Sequence, residues 1–209
     1  MDQRVFTDEF SGTALDESRW ENMRTNMNNV QTSPANVSVG GGLLTLTLSN
    51  ASTGAEIDSA PYDGAGENGY LLQRGDYTEA RVFFPGDSAG AYNWPAWWAS
   101  GPNWPNSGEI DIAEVLGGRI TSNYHGPSND INGGAIPGSG PNAWHVYGAH
   151  RKAGSVDIYF DGTRVKTLPT SDSGSNGQAL LLNVGVGQGS KTVTGAAGAV
   201  KVDYVRAWR

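Results

Sequence analysis

The sequence predicts an all-β protein whose strands form a two-sheet antiparallel β-sandwich of the jelly-roll or concanavalin-like type. Apolar and polar residues alternate over many short segments, glycine and proline interrupt the chain about every ten residues, and no segment carries a helical apolar stripe. The chain has 209 residues, among them 30 Gly and 10 Pro. Because one sandwich can use that whole length, we expect a single domain over residues 1–209.

The predicted strands follow one another along the chain. They are 37–39 and 44–48 around a glycine turn at 40–42, then 77–84, 110–112, 146–149, 156–160, 164–168, 180–186 and 200–208. Asp161-Gly162 joins two of these segments and is typical of a tight hairpin turn. Segments 49–68 and 128–142 are rich in Gly, Ser and Asn and predict long surface loops.

Composition excludes several classes of function. The chain has no Cys, which rules out disulfides, a thiol nucleophile, a thiolate zinc site and an iron–sulfur cluster. Its 21 acidic and 14 basic residues give a net charge of -7 without any basic run, which argues against nucleic-acid binding. No apolar stretch approaches the roughly 20 residues that would span a bilayer.

Aromatic residues are abundant for a chain with so few charges. There are 7 Trp and 8 Tyr, while charged residues make up 17% of the sequence. Each Trp brings a flat apolar face and an N–H that needs a partner. Such rings either fill a β-core or pack against the C–H faces of sugars, and composition alone leaves both interpretations open.

The most informative segment is the acidic run from Gly108 to Val115, GEIDIAEV. Strict strand alternation places Glu109 and Asp111 on one face and turns Glu114 towards the core, where an unpaired carboxylate is costly. A β-bulge at Ile112–Ala113 would return Glu114 to the face of Glu109. We therefore expect a bulged strand with all three acids on one surface.

This arrangement suits glycosidic bond cleavage. Two glutamates about four strand steps apart can lean together until their carboxyl groups are about 5–6 Å apart, close to the roughly 5–5.5 Å of retaining glycosidases. Crowded carboxyls also raise at least one pKa, which leaves one acid protonated near neutral pH. The alternative interpretation is a solvated acidic face or a cation site. Clustered aromatics favour a saccharide cleft; they are Trp94, Trp97, Trp98 and Trp104 before the run, and Tyr124, His125 and Trp144 after it.

The acidic run resembles the signature of glycoside hydrolase family 16 in the bulged form of its laminarinase-like (endo-1,3-β-glucanase) branch. Other segments resemble that family in the same order along most of the chain. They are VFTDEF at 5–10, NVSV at 36–39, YTEAR at 77–81, WPAWW at 94–98, WHVY at 144–147, YFDG at 159–162, LNV at 182–184 and VDYVR at 202–206. The acidic hexad is specific, whereas the other segments are informative only as an ordered series.

The resemblance implies a role for each acid. Glu109 would be the nucleophile, and Glu114 would be the general acid and then the base. Asp111 would hydrogen-bond Glu109 and tune its protonation. The resemblance also implies substrate contacts for a further set of residues, namely Trp98, Trp104, His125, Asn29 and Arg74.

One departure from the family weakens the laminarin assignment. Where many laminarinase-like members have a Trp after the 144–147 strand, this chain has Arg151. A cation there would suit a substrate with acidic groups, or a shallower subsite. A galactan-cleaving enzyme, agarase- or carrageenase-like, therefore remains an alternative to β-glucan hydrolysis. The chain is also short for the family, which predicts an open cleft and cutting within long polymers.

A second alternative is a non-catalytic carbohydrate-binding module or lectin on the same fold. Such a protein does not need two glutamates around an aspartate, so the presence of all three acids favours an enzyme. We expect a retaining endo-β-glycosidase acting on β-1,3-glucan (laminarin) or mixed β-1,3/1,4-glucan. Its expected partner is polysaccharide, with neither nucleic acid nor membrane, and the expected oligomeric state is a monomer.

The three histidines show no metal-binding spacing, so we expect no cofactor for catalysis. The family resemblance implies a structural calcium ion held by Glu9, the Gly42 carbonyl and Asp203, all oxygen ligands that suit Ca²⁺. Asp203 is equally compatible with an ordinary surface charge. The N-terminus lacks a hydrophobic signal core, which leaves a cytosolic protein or a processed one open. A polymeric substrate favours secretion, with the leader absent from this chain.

Overall fold

A computed structural model describes residues 3–22, 26–27, 30–60 and 69–209. Strands dominate this part of the chain, and they are numbered here in chain order. The first ten are β1 (Arg4–Asp8), β2 (Glu21–Asn22), β3 (Asn26–Met27), β4 (Val30–Thr32), β5 (Val37–Gly40), β6 (Leu43–Leu46), β7 (Thr53–Asp58), β8 (Leu71–Leu72), β9 (Tyr77–Phe83) and β10 (Gly86–Asp87). The others are β11 (Gly90–Ala91), β12 (Trp94–Ser100), β13 (Glu109–Leu116), β14 (Arg119–His125), β15 (Asp130–Ala135), β16 (Trp144–Lys152), β17 (Ser155–Phe160), β18 (Thr163–Pro169), β19 (Gln178–Gly185) and β20 (Val200–Trp208). Two short 3-10 helices span Pro34–Asn36 and Gly195–Gly198.

The strands form two large sheets. A ten-stranded sheet has the order β15-β14-β13-β12-β19-β7-β4-β3, with β2 on β7 and β8 on β19. An eight-stranded sheet has the order β18-β17-β16-β9-β20-β6-β5, with β1 on β20. Neighbouring strands are antiparallel throughout both sheets except for the β4–β7 pair. The predicted two-sheet antiparallel sandwich is confirmed.

The core lies between the two sheets because each strand turns its apolar side chains inward. In β9 the buried residues Ala80 and Val82 alternate with half-buried Glu79, Arg81 and Phe83. The ten-stranded sheet contributes fully buried residues that include Trp97 of β12 and Ile110 and Ile112 of β13. One apolar cluster joins both sheets, and the assignment of residues 1–209 to a single domain stays a prediction.

The hairpin predicted at Asp161-Gly162 is confirmed between β17 and β18. Two loop predictions are wrong in part. Residues 53–58 form β7 and residues 130–135 form β15, inside the segments 49–68 and 128–142. Both strands are rich in polar residues or glycine, so they lack the apolar alternation that marks a strand. Among the described residues, none belongs to a helix that is long and apolar enough to cross a membrane.

Candidate active site

The acidic strand β13 lies inside the ten-stranded sheet, between β12 and β14. Asp111 pairs with Asn123 of β14, whereas the next pair joins Glu114 to Thr121. Ile112 and Ala113 of β13 therefore both lie opposite the single residue Ser122 of β14, which is a β-bulge. The pairing with β12 shifts in the same place, since Trp97 lies opposite Ala113 and the next residue, Trp98, lies opposite Asp111. The predicted bulge at Ile112–Ala113 is confirmed.

The bulge sorts the side chains of β13 between the two faces of the sheet. Ile110, Ile112 and Ala113 are completely or almost completely buried and belong to the core. Glu109, Asp111 and Glu114 then share the opposite face, which is called the site face below. The extra residue thus lets the strand bury its isoleucines without forcing Glu114 into the core.

The carboxyl of Glu114 is held from two directions. Its Oε1 accepts a hydrogen bond from Nε1 of Trp94 at 2.7 Å, and its Oε2 accepts one from Nδ2 of Asn123 at 2.9 Å. Asn123 also donates to Oγ1 of Thr121, whose hydroxyl bonds to the Glu114 carbonyl. Hydrogen bonds on both oxygens fix the orientation of this carboxyl group and favour its ionised form.

The carboxyl of Glu109 has different surroundings. In the part of the chain that the structure describes it accepts no hydrogen bond, and Nε2 of His125 lies 3.9 Å from its Oε1. The same His125 nitrogen lies 3.4 Å from Oδ2 of Asp111, while its Nδ1 lies 3.0 Å from Oδ1 of Asp130. Glu109, Asp111 and His125 therefore form one charge cluster, with His125 as its cation.

Burial sets the protonation of this cluster. Burial, reinforced by the charge of Asp111, raises the pKa of Glu109 to about 8. The same two causes raise the pKa of Glu114 to about 7, against the lowering effect of its two hydrogen bonds. Burial also raises the pKa of Asp111. The hydrogen bond to Asp111 raises the pKa of His125 to about 9, so the imidazole is protonated at neutral pH.

Two glutamates that titrate near neutral pH on one strand can divide the roles of acid and nucleophile between them. The cluster of Glu109, Asp111 and His125 also brings three ligand atoms within 4.8 Å, which is the spacing of a metal site. In this structure His125 lies between Asp111 and Asp130 and serves as a charge partner of the acids.

Comparison with known proteins agrees with this geometry. The model of the XgeA-like catalytic domain of glycoside hydrolase family 16 matches residues 85–125, which include all three acids and His125. Over this segment the chain is similar to the catalytic domain of glycoside hydrolase family 16. A 58-residue stretch is 36% identical to the endo-1,3(4)-beta-glucanase xgeA of Emericella nidulans, and this match covers 25% of the chain and 9% of that relative.

Solved structures share the fold of this chain over almost its whole length. An endo-beta-1,3-glucanase from Pyrococcus furiosus has a TM-score of 0.77 at 23% identity, covering 98% of this chain and 93% of that one. A laminarinase catalytic domain from Thermotoga petrophila has a TM-score of 0.76 at 22% identity, with 99% and 97% covered. Rv0315, a pseudo beta-1,3-glucanase of Mycobacterium tuberculosis, has a TM-score of 0.74 at 21% identity, with 98% of each chain covered. At these identities the likeness shows the fold.

The site face extends beyond the acidic strand. Trp98 lies opposite Asp111, is half-buried, and donates its Nε1 hydrogen to Oδ1 of Asn183 at 2.8 Å. Asp58 of β7 lies in the same row of paired residues, two strands beyond β12. Burial, together with Glu56 and Glu21, raises the pKa of Asp58 to about 7. The site face is therefore acidic well beyond the three predicted residues.

The other predicted substrate contacts have different positions. Trp104 is 52% exposed in the loop between β12 and β13, where a sugar could reach its ring. Arg74 donates to the Ser173 carbonyl, and no contact joins it to the three acids within the described part of the chain. Asn29 lies outside the described residues. Trp98, Trp104 and Arg74 stay predictions as substrate contacts.

The prediction for Arg151 as a cation that meets the substrate is wrong. Its side chain is 3% exposed and pairs with Oδ2 of Asp172 at 2.9 Å. It also donates to the carbonyls of Leu72 and Asn176. Arg151 lies on β16 of the eight-stranded sheet, so it ties that sheet to the β8 segment and to the 170–177 loop. A buried ion pair of this kind has a structural role.

The proposed calcium ligands already have partners. Both carboxylate oxygens of Glu9 accept hydrogen bonds from Arg206 at 2.8 Å, and Asp203 accepts one from Arg81 at 2.7 Å. Gly42 lies in the β5–β6 turn with a φ of 78°. Because each carboxylate is neutralised by an arginine, this donor set fits a calcium ion poorly. The calcium site stays a prediction.

Sequence reasoning missed three polar residues beside the acids: Asn123, Asn183 and Ser100. All three lie on the site face at positions paired, directly or through one strand, with residues of β13. The signal that could have found them is register, because the partner of an acid across a strand pair shares its face. Register is set by pairing over long sequence distances, which a single sequence does not display.

Proposed function

We propose that this chain is a retaining endo-β-glycosidase that hydrolyses β-1,3-glucan or mixed β-1,3/1,4-glucan. The observation that carries the proposal is the pair Glu109 and Glu114, which share the site face of a bulged strand with Asp111 between them. Both carboxyls have raised pKa values, which suits the proton donor, whereas the nucleophile must ionise with the help of the positive charge of His125.

In the first step, a carboxylate oxygen of Glu109 attacks the anomeric carbon of the bound sugar. The bond from that carbon to the glycosidic oxygen breaks, and Glu114 gives its proton to the departing oxygen. The products are a glycosyl ester on Glu109 and a shortened chain with a new hydroxyl group. This step needs Glu109 ionised and Glu114 protonated.

In the second step, water attacks the anomeric carbon of the ester. Glu114, now ionised, takes a proton from the water, and Glu109 departs as a carboxylate. The hydrogen bonds from Trp94 and Asn123 stabilise the ionised form of Glu114 that this step requires. They also keep the carboxyl aimed in one direction while it gives and takes a proton.

His125 and Asp111 would set the charge around the nucleophile. The positive charge of His125 lowers the pKa of Glu109 and so favours the ionised carboxylate. Asp111 is hydrogen-bonded to His125 and holds that proton on the imidazole. We assign Asp111 as the residue that tunes Glu109 through this shared cation.

The substrate assignment rests on the family and on its relatives. The curated relative that matches is named an endo-1,3(4)-beta-glucanase, and two structures of the same fold are β-1,3-glucanases by title. The chain spans 9% of that curated relative, so its activity comes to this chain as a proposal. The galactan alternative depended on Arg151, and the burial of Arg151 removes that support.

The test of function is release of reducing ends from laminarin, mixed-linkage β-glucan, agarose and carrageenan, with Glu109→Ala measured beside the wild type. We expect cleavage of laminarin or of mixed-linkage glucan, lost in the variant. Cleavage of a galactan alone would keep the mechanism and overturn the substrate. Binding without cleavage on all four would support the carbohydrate-binding alternative.

The roles of the two glutamates have their own test, which is rescue by azide on a substrate with an activated leaving group. In Glu109→Ala the azide takes the place of the nucleophile and should give the α-glycosyl azide. In Glu114→Ala the ester on Glu109 still forms, so azide should give the β-glycosyl azide. The reverse pattern would exchange the two roles.

Two further features belong to the same proposal. A polysaccharide substrate outside the cell supports secretion, and the second feature that we propose is that the protein acts as a monomer. Sedimentation of the purified protein with and without laminarin oligosaccharides tests the second feature. A dimer in both conditions would contradict it.

A further inference from the structure

Ser100 is the last residue of β12, and it lies directly opposite Glu109 of β13. Residues that face each other across an antiparallel pair point to the same side of the sheet, with their Cβ atoms about 4.5–5.5 Å apart. Its side chain therefore lies on the site face beside the proposed nucleophile. On its other side Ser100 lies opposite Ala179 of β19, which offers no polar side chain.

The hydroxyl of Ser100 has no hydrogen-bond partner among the residues that the structure describes. Ser100 is 2% exposed, and its Oγ is buried without a hydrogen bond. Buried hydroxyl groups are satisfied in most native structures, and an exception calls for an explanation in terms of function. Glu109, its neighbour across the strand pair, is the one of the two glutamates whose carboxyl accepts no hydrogen bond in the described structure.

We propose that Ser100 is a positioning residue for Glu109, whose hydroxyl donates a hydrogen bond to the Glu109 carboxylate when the substrate is bound. The inference rests on the proposed function, because it concerns the nucleophile of that mechanism. A turn of the side chain about its Cα–Cβ bond moves the hydroxyl between staggered positions without any change of backbone. The bond would stabilise the carboxylate before attack and again as Glu109 leaves the ester.

Four titratable groups surround Glu109. Asp111 and Glu114 face it from its own strand, His125 faces it from β14, and Asp130 faces it from the start of β15. The three acids raise its pKa and His125 lowers it. From β12 the facing group is the neutral hydroxyl of Ser100, so its removal changes hydrogen bonding without changing charge.

The experiment compares Ser100→Ala with Ser122→Ala in the full chain. Ser122 of β14 is a matched control, because its Oγ is also buried without a partner in the described part of the chain, while its neighbours Thr121 and Asn123 are the residues on the site face. The measurement is kcat and KM on laminarin, or on the glucan that the wild type cleaves, from pH 4 to pH 9. Thermal unfolding shows that each variant is folded.

We expect Ser100→Ala to move the acidic limb of the kcat profile up by about half to one pH unit, since Glu109 then ionises less readily in the substrate complex. At the acidic edge kcat should fall by about three- to tenfold with KM little changed. Ser100→Thr, which keeps the hydroxyl, should restore the wild-type limb, and Ser122→Ala should leave it in place.

A Ser100→Ala profile that superimposes on the wild-type profile would overturn the proposal. A change in KM alone would overturn it as well, because it would assign the hydroxyl to the substrate. Absence of cleavage by the wild type on every glucan and galactan would instead contradict the function proposed for the whole site. The two failures are therefore distinguishable.

Discussion

The acids of the site face and those on the exposed side of the eight-stranded sheet have opposite surroundings. Glu9 and Asp203 each pair with an arginine, and the hydrogen bond from Arg206 holds the pKa of Glu9 below its usual range. Glu109 and Glu114 are buried beside Asp111, and burial raises the pKa of both. A glutamate is thus ionised at neutral pH beside the eight-stranded sheet, whereas the two glutamates of the site face can gain or lose a proton near neutral pH.

This difference shows that the acids of the site face reduce folding stability at neutral pH. A paired carboxylate contributes to folding stability at neutral pH, whereas a buried acid with a raised pKa opposes folding once it ionises. The sandwich tolerates the second kind of acid because its core and its paired acids supply the stability elsewhere. Neutralising one acid of each kind should therefore change the folding stability at alkaline pH in opposite directions.

The largest effect is expected where the carboxyl itself reacts. Glu109→Ala removes the proposed nucleophile, and turnover should fall by about a thousandfold or more, as when other covalent nucleophiles are deleted. Binding should be largely kept because the aromatic rings of the face remain. Turnover is measured by reducing-end release, and binding by affinity electrophoresis in a laminarin gel. Turnover like that of the wild type would contradict the assignment of Glu109.

The second effect concerns the proton donor. Glu114→Gln keeps the shape of the side chain but cannot give a proton, so kcat on laminarin should fall by about a hundred- to ten-thousandfold. A substrate with an activated leaving group needs little proton donation and should lose far less. The basic limb of the wild-type pH profile should belong to Glu114. Full activity of this variant on the natural polymer would refute the role.

The third effect concerns a buried ion pair, which differs from both kinds of acid. Arg151→Leu leaves Asp172 buried without its cation, and losses of about 3–5 kcal/mol are typical of such changes. In a domain of this size that lowers Tm by roughly 10 °C, measured by thermal unfolding. The preference among glucans and galactans should stay the same. A changed preference would show that Arg151 affects substrate selection.

The fourth effect is the change in Tm when a glutamate is replaced by glutamine, which should have opposite signs for the two sheets at pH 8. Glu109 has a pKa of about 8 in the folded protein and about 4.3 in the unfolded chain, so its contribution to stability is lost as the pH rises from about 4.3 to about 8. Glu109→Gln should therefore match the wild-type Tm near pH 4.5 and exceed it by a few degrees at pH 8.

Glu9→Gln is the matched variant on the other sheet. The pKa of Glu9 is lowered, so its contribution to stability is present at neutral pH and is lost as the pH falls below its usual value. This exposed pair is of a kind that contributes little, and the loss of Tm should be about 2 °C or less at pH 8. Equal signs for the two variants at pH 8 would contradict the comparison.

The smallest effect is expected for calcium. Glu9 and Asp203 are already neutralised by Arg206 and Arg81, so millimolar calcium should leave Tm and activity unchanged, and a chelator should do the same. Thermal unfolding with and without each reagent measures this. A rise of several degrees with calcium, abolished by Glu9→Gln, would show that the ion displaces the arginine.

Much of the fold was predictable because it depends on local alternation. The alternation in segments such as 77–84 and 156–168 predicted their strands and the hairpin turn. The bulge was predictable because strict alternation would place Glu114 on the same face as Ile112, in the core. Strands β7 and β15 were not predictable, since polar residues and glycine hide them. Pairing with distant strands, and not their own composition, makes these segments β.

The acids of the site were predictable for the same local reason, and their neighbours were not. Glu109, Asp111 and Glu114 lie within six residues, so parity alone could place them on one face. Asn123 and Ser100 lie on that face because β14 and β12 pair in register with β13. Arg151 is not on that face, because it is buried in an ion pair with Asp172. Single residues far apart in sequence carry no such signal.

The most direct test of the central claim is the configuration of the first product, followed by ¹H NMR while the wild type cleaves laminarin. Two displacements at the anomeric carbon, by Glu109 and then by water, predict that the new reducing end appears first as the β-anomer and later mutarotates. A first product in the α configuration would mean a single displacement by water. That result would contradict a covalent intermediate on Glu109 and with it the proposed division of roles.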